Sequence, residues 1–222
     1  MLNQLKIPAF IINYNRLILP KNMAEFLSKD QRVEIYIIDN KSTYEPLLEW
    51  YKTCPYKVIH MDGNYGHTVF WTQKLYEKYV KEGYYILSDS DLDLSSIPDN
   101  WLDVLLEGLN RYPYAKVGFS LETNDLPESH FRAEIVAWES QFWAPKARQL
   151  DETYIEAHID TTLALHRTDE HGIYSSVRVN RPYTAKHVPW YYTDFSILSE
   201  DEKYYFNTVK TSTLWSRQFN KS

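Results

Sequence analysis

The chain has 222 residues, enough for one sizeable core, and its 44% hydrophobic content, with 19 Tyr and 7 Trp, exceeds what a disordered chain carries. Its net charge is −6 and its Lys and Arg residues are scattered, which leaves no nucleic-acid footprint. One cysteine, Cys54, rules out an intrachain disulfide; with neither an apolar leader nor a run of membrane-spanning length, the expectation is a soluble, cytoplasmic, single-domain protein.

Apolar, β-prone runs at residues 9–13, 33–39, 57–61 and 84–88 predict four strands. Between them, residues 21–28 and 44–52 predict short helices, the second capped by Ser42 or Thr43. A longer helix is predicted over 67–81, with Val69, Leu75, Tyr76, Tyr79 and Val80 on one side and Gly83 beyond its end. Ser96 and Pro98 read as the start of a helix reaching residue 112, with Leu102, Leu105, Leu106 and Leu109 at helical spacing. Strands alternating with helices imply an α/β fold whose central sheet is mixed but mostly parallel. Further on, 116–121 reads as a strand, 129–143 as a helix carrying Trp138-Glu139, and 159–165 as a strand containing Asp160.

Each early strand stops in a polar cluster. These are Asn13-Tyr14-Asn15-Arg16, Asp39-Asn40-Lys41-Ser42, Asp62-Gly63-Asn64-Tyr65-Gly66 and Asp89-Ser90-Asp91-Leu92-Asp93. Each cluster alone has the composition of a turn. Ligands of open parallel sheets bind beyond the carboxyl ends of the strands, so all four would meet in one crevice. The last cluster is the most informative, because crowded carboxylates repel one another unless a cation sits among them. Oxygen donors suit Mg²⁺ or Mn²⁺, and such ions commonly carry a substrate phosphate. An EF-hand loop is excluded, since it needs Gly where Leu94 stands and Glu where Asn100 stands. A haloacid-dehalogenase-type phosphatase would place its paired acids in the first strand. Helix capping accounts for Ser96 and Asp99 but leaves Asp89 and Asp91 unexplained.

The ordered set over residues 7–122 resembles the nucleotide-sugar half of a GT-A glycosyltransferase of the family-2 type. The resemblance rests on Ile12-Asn13-Tyr14-Asn15, Asp39-Asn40-Lys41-Ser42, Asn64-Tyr65-Gly66 and the D-x-D at Asp89-Ser90-Asp91. It implies a three-layer α/β/α sandwich with a donor half to about residue 122 and an acceptor half beyond it. It also implies a nucleoside-diphosphate sugar donor, UDP-linked by expectation, a glycan or glycoconjugate hydroxyl as acceptor, and inversion at the anomeric carbon. By the same resemblance Asp39 holds the base or ribose, Asp89 lies near ribose and metal, and Asp91 binds Mn²⁺ or Mg²⁺. Asn13, Asn15, Arg16 and Asn64 fall at the donor edge, and Asp93 is an extra acid. Some GT-A members use a late His as a metal ligand, which makes His187 a candidate beside its more ordinary reading as a structural histidine. Glu139, Asp160 and Asp194 are candidate general bases; Glu139 is favoured because it lies between Trp138 and Trp143. Arg178, Arg181 and Lys186 are candidate phosphate contacts. The alternatives are a sugar nucleotidyltransferase, which usually needs a Gly-rich loop that is missing here, the phosphatase, and a binding module without turnover.

Overall fold

The structure, a computed structural model, describes residues 6–81, 83–143, 148–160, 162–168 and 175–209. In chain order it runs β1 (Ile7–Asn13), α1 (Ile18–Leu27), β2 (Val33–Asp39), α2 (Glu45–Thr53), β3 (Lys57–His60), α3 (Val69–Thr72), α4 (Leu75–Tyr79), β4 (Tyr84–Asp89) and β5 (Leu92–Asp93). It continues α5 (Trp101–Arg111), β6 (Lys116–Leu121), α6 (Arg132–Trp143), β7 (Arg148–Gln149), β8 (Tyr154–Glu156), β9 (Ala164–Arg167), β10 (Ser176–His187) and α7 (Glu200–Thr208). The ten strands form one mixed sheet in the order β3-β2-β1-β4-β9-β6-β10-β8-β7, with β5 paired to β10. β1 to β4 pair in parallel, as the alternating pattern predicted, and antiparallel partners enter with β9, β8, β7 and β5.

The pleat sends alternate residues to opposite faces, and each face is covered. Ala9, Ile11, Ile35 and Ile37 pack with Leu27, Leu47 and Leu105 of α1, α2 and α5. Phe10, Ile12, Tyr36 and Ile38 pack with Phe70 and Leu75 of α3 and α4. No helix among the described residues is long and apolar enough to cross a membrane.

Several local expectations are corrected. The helix expected over 67–81 is broken into a 3-10 turn at Gly66–Thr68 and the short α3 and α4, with Lys74 left-handed at φ 52° between them. On a straight helix, positions five apart diverge by about 140°, yet Phe70 and Leu75 bury in the same cluster, and the break is what lets both reach it. Neither Ser42 nor Thr43 caps α2. Asn15 Oδ1 accepts from the Thr43 and Tyr44 amides, while Ser42 Oγ is taken by the Asn15 amide. Ser96 and Pro98 lie in a turn ahead of α5 rather than in its first turn. The strand expected at 159–165 forms instead at Ala164–Arg167, and His187 is the last residue of β10.

Gly118 of β6 sits where backbone approaches closely: a Cβ built there falls 2.4 Å from the Leu163 carbonyl oxygen and 2.9 Å from Ala164 Cβ. Gly118→Ala is therefore expected to destabilise the protein by ~3 kcal/mol, because backbone cannot yield as a side chain can. Denaturant unfolding checks this, and a shift under ~0.5 kcal/mol would refute it.

Candidate functional site

Parallel register brings the strand ends level. Asn13 is paired with Asp39, Ile12 with Asp89, and Asp39 with His60. The chain turns at Ser90 and Asp91, and β5 pairs Leu92 with His187 at the end of β10, while the Val188 amide donates to the Asp91 carbonyl at 2.9 Å. This pairing sets the imidazole of His187 beside the acids. A crevice of about 380 Å³ opens over these ends, lined among others by Asn13, Arg16, Asn64, Asp89, Asp91 and His187. A second cavity of about 390 Å³ lies against it, walled by Trp138, Phe142 and Trp190. The two share Asp89, Asp91, Asp160 and His187.

The centre of the site is an ion-pair chain. Arg16 Nη1 donates to Asp91 Oδ2 at 3.1 Å, Arg16 Nε donates to Glu202 Oε1 at 2.7 Å, and the guanidinium lies 3.6 Å over the Tyr205 ring. His187 Nε2 is 3.5 Å from the same Asp91 oxygen. Burial alone would push the Asp91 carboxyl up, but the charges of His187 and Arg16 outweigh it and hold the group well below the usual carboxylate range. Burial also works against the Arg16 charge, and Glu202, Tyr205 and Asp91 more than offset it.

Helix α7 supplies Glu202 and Tyr205 and is docked along the ends of β1 and β2. Asp201 Oδ2 accepts from the Leu17 and Ile18 amides at 2.8 and 2.9 Å, satisfying the start of α1, which has no side-chain cap of its own. Thr208 accepts from Asn15 Nδ2 at 2.9 Å. Tyr205, Phe206 and Val209 line the crevice. This helix lies outside the elements predicted from the sequence, although Ser199 and Glu202 carry the spacing of a capping box.

The other expected donor residues divide into liners and supports. Asn13 is buried; it donates to the Arg16 carbonyl at 2.8 Å and accepts from Ser90 Oγ at 3.0 Å, tying the first loop to the acid turn. Asn64 lines the crevice and accepts from the Gly66 amide at 3.0 Å. Asn15 and Asp39 do not line it. The Asn15 side chain is spent on α2 and Thr208, and Asp39 accepts from Ser42, Tyr51 and His60 at 3.3 to 3.4 Å. Asn40, next to Asp39, is the residue that reaches the crevice, and the sequence analysis passed over it as a turn former. Asp93 accepts from the Ser95 amide at 2.8 Å, forming the turn after β5.

The three candidate bases have different fates. Glu139 is buried, with Arg178 Nη1 2.8 Å from its Oε2, and the guanidinium sits 4.0 Å over the Phe142 ring. Burial pushes the Glu139 carboxyl above its usual range against the pull of Arg178. Asp160 is exposed and lines both cavities. Asp194 accepts from the Ser196 amide at 2.7 Å and lines neither. The cations suggested for phosphate are also engaged: Arg178 by Glu139, Arg181 by Glu122 at 2.7 Å, and Lys186 by Asp125.

Asp89, Asp91 and His187 offer carboxylate oxygens and an imidazole nitrogen, a donor set chemically suited to a divalent cation such as Mn²⁺. With Arg16 on Asp91, the set is not closed: among the described residues no three His, Cys, Asp or Glu side chains are grouped to hold an ion.

No family model and no curated protein matches the chain. Among solved structures, a mannosyltransferase from Pyrobaculum calidifontis in complex with GDP-Man and Mn²⁺ matches 84% of this chain with a TM-score of 0.53 and 12% identity. A 4-diphosphocytidyl-2C-methyl-D-erythritol synthase from Anaerococcus prevotii matches 75% of the chain at a TM-score of 0.45 and 9% identity, too weak a likeness to bear on function. This chain spans 58% of the mannosyltransferase's length. At such identity the likeness establishes a shared fold, an α/β domain whose mixed sheet has helices around it.

Proposed function

We propose that the chain is a cation-dependent glycosyltransferase that takes a sugar from a nucleoside diphosphate and passes it to a hydroxyl acceptor with inversion. The observation that carries this reading is the meeting of two cavities at Asp89, Asp91, Asp160 and His187. One space lies over the carboxyl ends of parallel strands, where nucleotides bind in open α/β sheets, and the other has the aromatic walls that suit a sugar ring. The fold shared with a GDP-mannose-binding protein supports it.

In this reading Asn13, Asn40 and Asn64 line the donor side, and Asp89, Asp91 and His187 are the residues that would hold Mn²⁺ or Mg²⁺. When bound, that ion neutralises the departing diphosphate. Asp160, exposed between the two cavities, serves as general base for the acceptor hydroxyl, and Trp138 at the mouth of the second cavity offers a stacking face. Glu139, held by Arg178, sets the floor of that cavity instead.

Calorimetry with UDP, GDP and dTDP, each with Mn²⁺, Mg²⁺ or EDTA, tests the reading. The expected result is that one nucleotide, UDP by the sequence resemblance, binds only with a cation. If none binds under any condition, the donor assignment falls and a binding module or phosphatase takes its place.

A further inference from the structure

The residues around the crevice include three acids, Asp89, Asp91 and Asp160, but among the described residues lining it Arg16 is the one Arg or Lys. A diphosphate entering there needs positive charge, and a cation approaching Asp91 finds one oxygen already bonded to a guanidinium. These demands conflict only if Arg16 and Asp91 keep each other as partners.

We propose that Arg16 is an exchangeable counter-cation. It holds Asp91 in the ligand-free protein, is displaced from that carboxylate by the divalent ion, and delivers its freed N–H group to a phosphate oxygen of the incoming ligand. The identity of the anion rests on the nucleotide-sugar reading above. The geometry suits a change of partner at one corner of the guanidinium. Its Nε edge is fixed on the buried Glu202 at 2.7 Å and its face on Tyr205, so the rigid planar fork stays in place in the crevice wall and it is the anion at Nη1 that changes: the Asp91 carboxylate rotates to the ion and a phosphate oxygen takes its place. Glu202 keeps the guanidinium charged and oriented whichever anion Nη1 holds. The exchange conserves charge pairing: the ion takes the carboxylate and the phosphate takes the arginine. By linkage, cation and diphosphate then favour each other's binding, and part of that coupling passes through Arg16.

The test is Mn²⁺ binding measured by electron paramagnetic resonance, with and without inorganic pyrophosphate. It compares the wild type with the double variant Arg16→Met/Glu202→Gln and with Arg16→Lys. The double variant removes one positive and one negative charge, so the net charge of the site is unchanged and tightening reports the loss of the guanidinium from the Asp91 oxygen. Mn²⁺ alone is expected to bind the double variant about tenfold more tightly than wild type. Pyrophosphate is expected to strengthen Mn²⁺ binding markedly in wild type and about tenfold less in the double variant. Arg16→Lys keeps the charge but loses the fork that spans both acids, and is expected to tighten Mn²⁺ by about threefold. It covers the case in which the double variant does not fold; α7 retains its Asp201 and Thr208 contacts in both.

Unchanged or weaker Mn²⁺ binding in both variants overturns the exchange, as does pyrophosphate coupling that persists at full strength in the double variant. The Mn²⁺ measurement involves no nucleotide. Tightened Mn²⁺ with lost pyrophosphate coupling but no nucleoside diphosphate bound would therefore overturn the donor reading and leave the exchange standing.

Discussion

Replacing Asp91 with Asn should abolish cation-dependent nucleotide binding while leaving the protein folded. Altering a group one shell outside a metal typically costs 10- to 100-fold in affinity, so loss of a carboxylate that touches it should cost at least about 100-fold. Asn keeps the shape of Asp but cannot supply an anionic oxygen, and its amide turns a donor toward whatever cation approaches. The fold should persist because Arg16 keeps its 2.7 Å bond to Glu202 and its place over Tyr205. What is lost is one charge-assisted hydrogen bond, about 2 kcal/mol. Calorimetry with the nucleotide that binds wild type, run with Mn²⁺ and with EDTA, reads the first effect, and thermal unfolding reads the second. Undiminished, Mn²⁺-dependent affinity in the Asn variant would remove Asp91 from the cation site.

The second large effect is expected at Asp160. Asp160→Asn should lower kcat by 10²- to 10⁴-fold, the usual worth of a positioned general base, with nucleotide affinity within about twofold of wild type. On the proposed glycosyl-transfer reading the base must reach both cavities to take a proton from the attacking hydroxyl, and Asp160 is the candidate base that lines both. Glu139→Gln is expected to behave differently. It leaves the Arg178 charge buried without its anion, so the protein should lose about 3 kcal/mol of stability. Asp194→Asn, which alters only a turn on the surface, should change neither quantity much. Steady-state rates for the three variants, each paired with an unfolding curve, separate the roles. A normal rate for Asp160→Asn with a collapse for a well-folded Glu139→Gln would reverse the assignment.

The break between α3 and α4 shows where sequence reasoning loses its grip. The apolar spacing over 67–81 does describe a face that packs inward, since Val69 and Leu75 are buried and Tyr76, Tyr79 and Val80 pack against the same cluster. Periodicity reports which residues seek the core, not whether one straight helix can deliver them. Glu139 shows the same limit in the chemistry. Its aromatic neighbours in sequence point to a raised carboxyl, and burial does raise it, but the partners are an arginine 39 residues away and Phe142 beneath that arginine.

Strands β1 to β4, the alternation of helices around them and the polar residues that end each strand are legible in the chain itself. These are local matters: a run of β-prone apolar residues becomes a strand, and the acids at its end cannot be buried without partners. What those acids meet is set by packing between distant segments. Arg16 reaches Asp91 across 75 positions and Glu202 across 186, and His187 arrives through the pairing of β5 with β10. Such contacts have no local signature, because they form when packing removes the charged groups from water and each must find an opposite charge among whatever neighbours the fold provides.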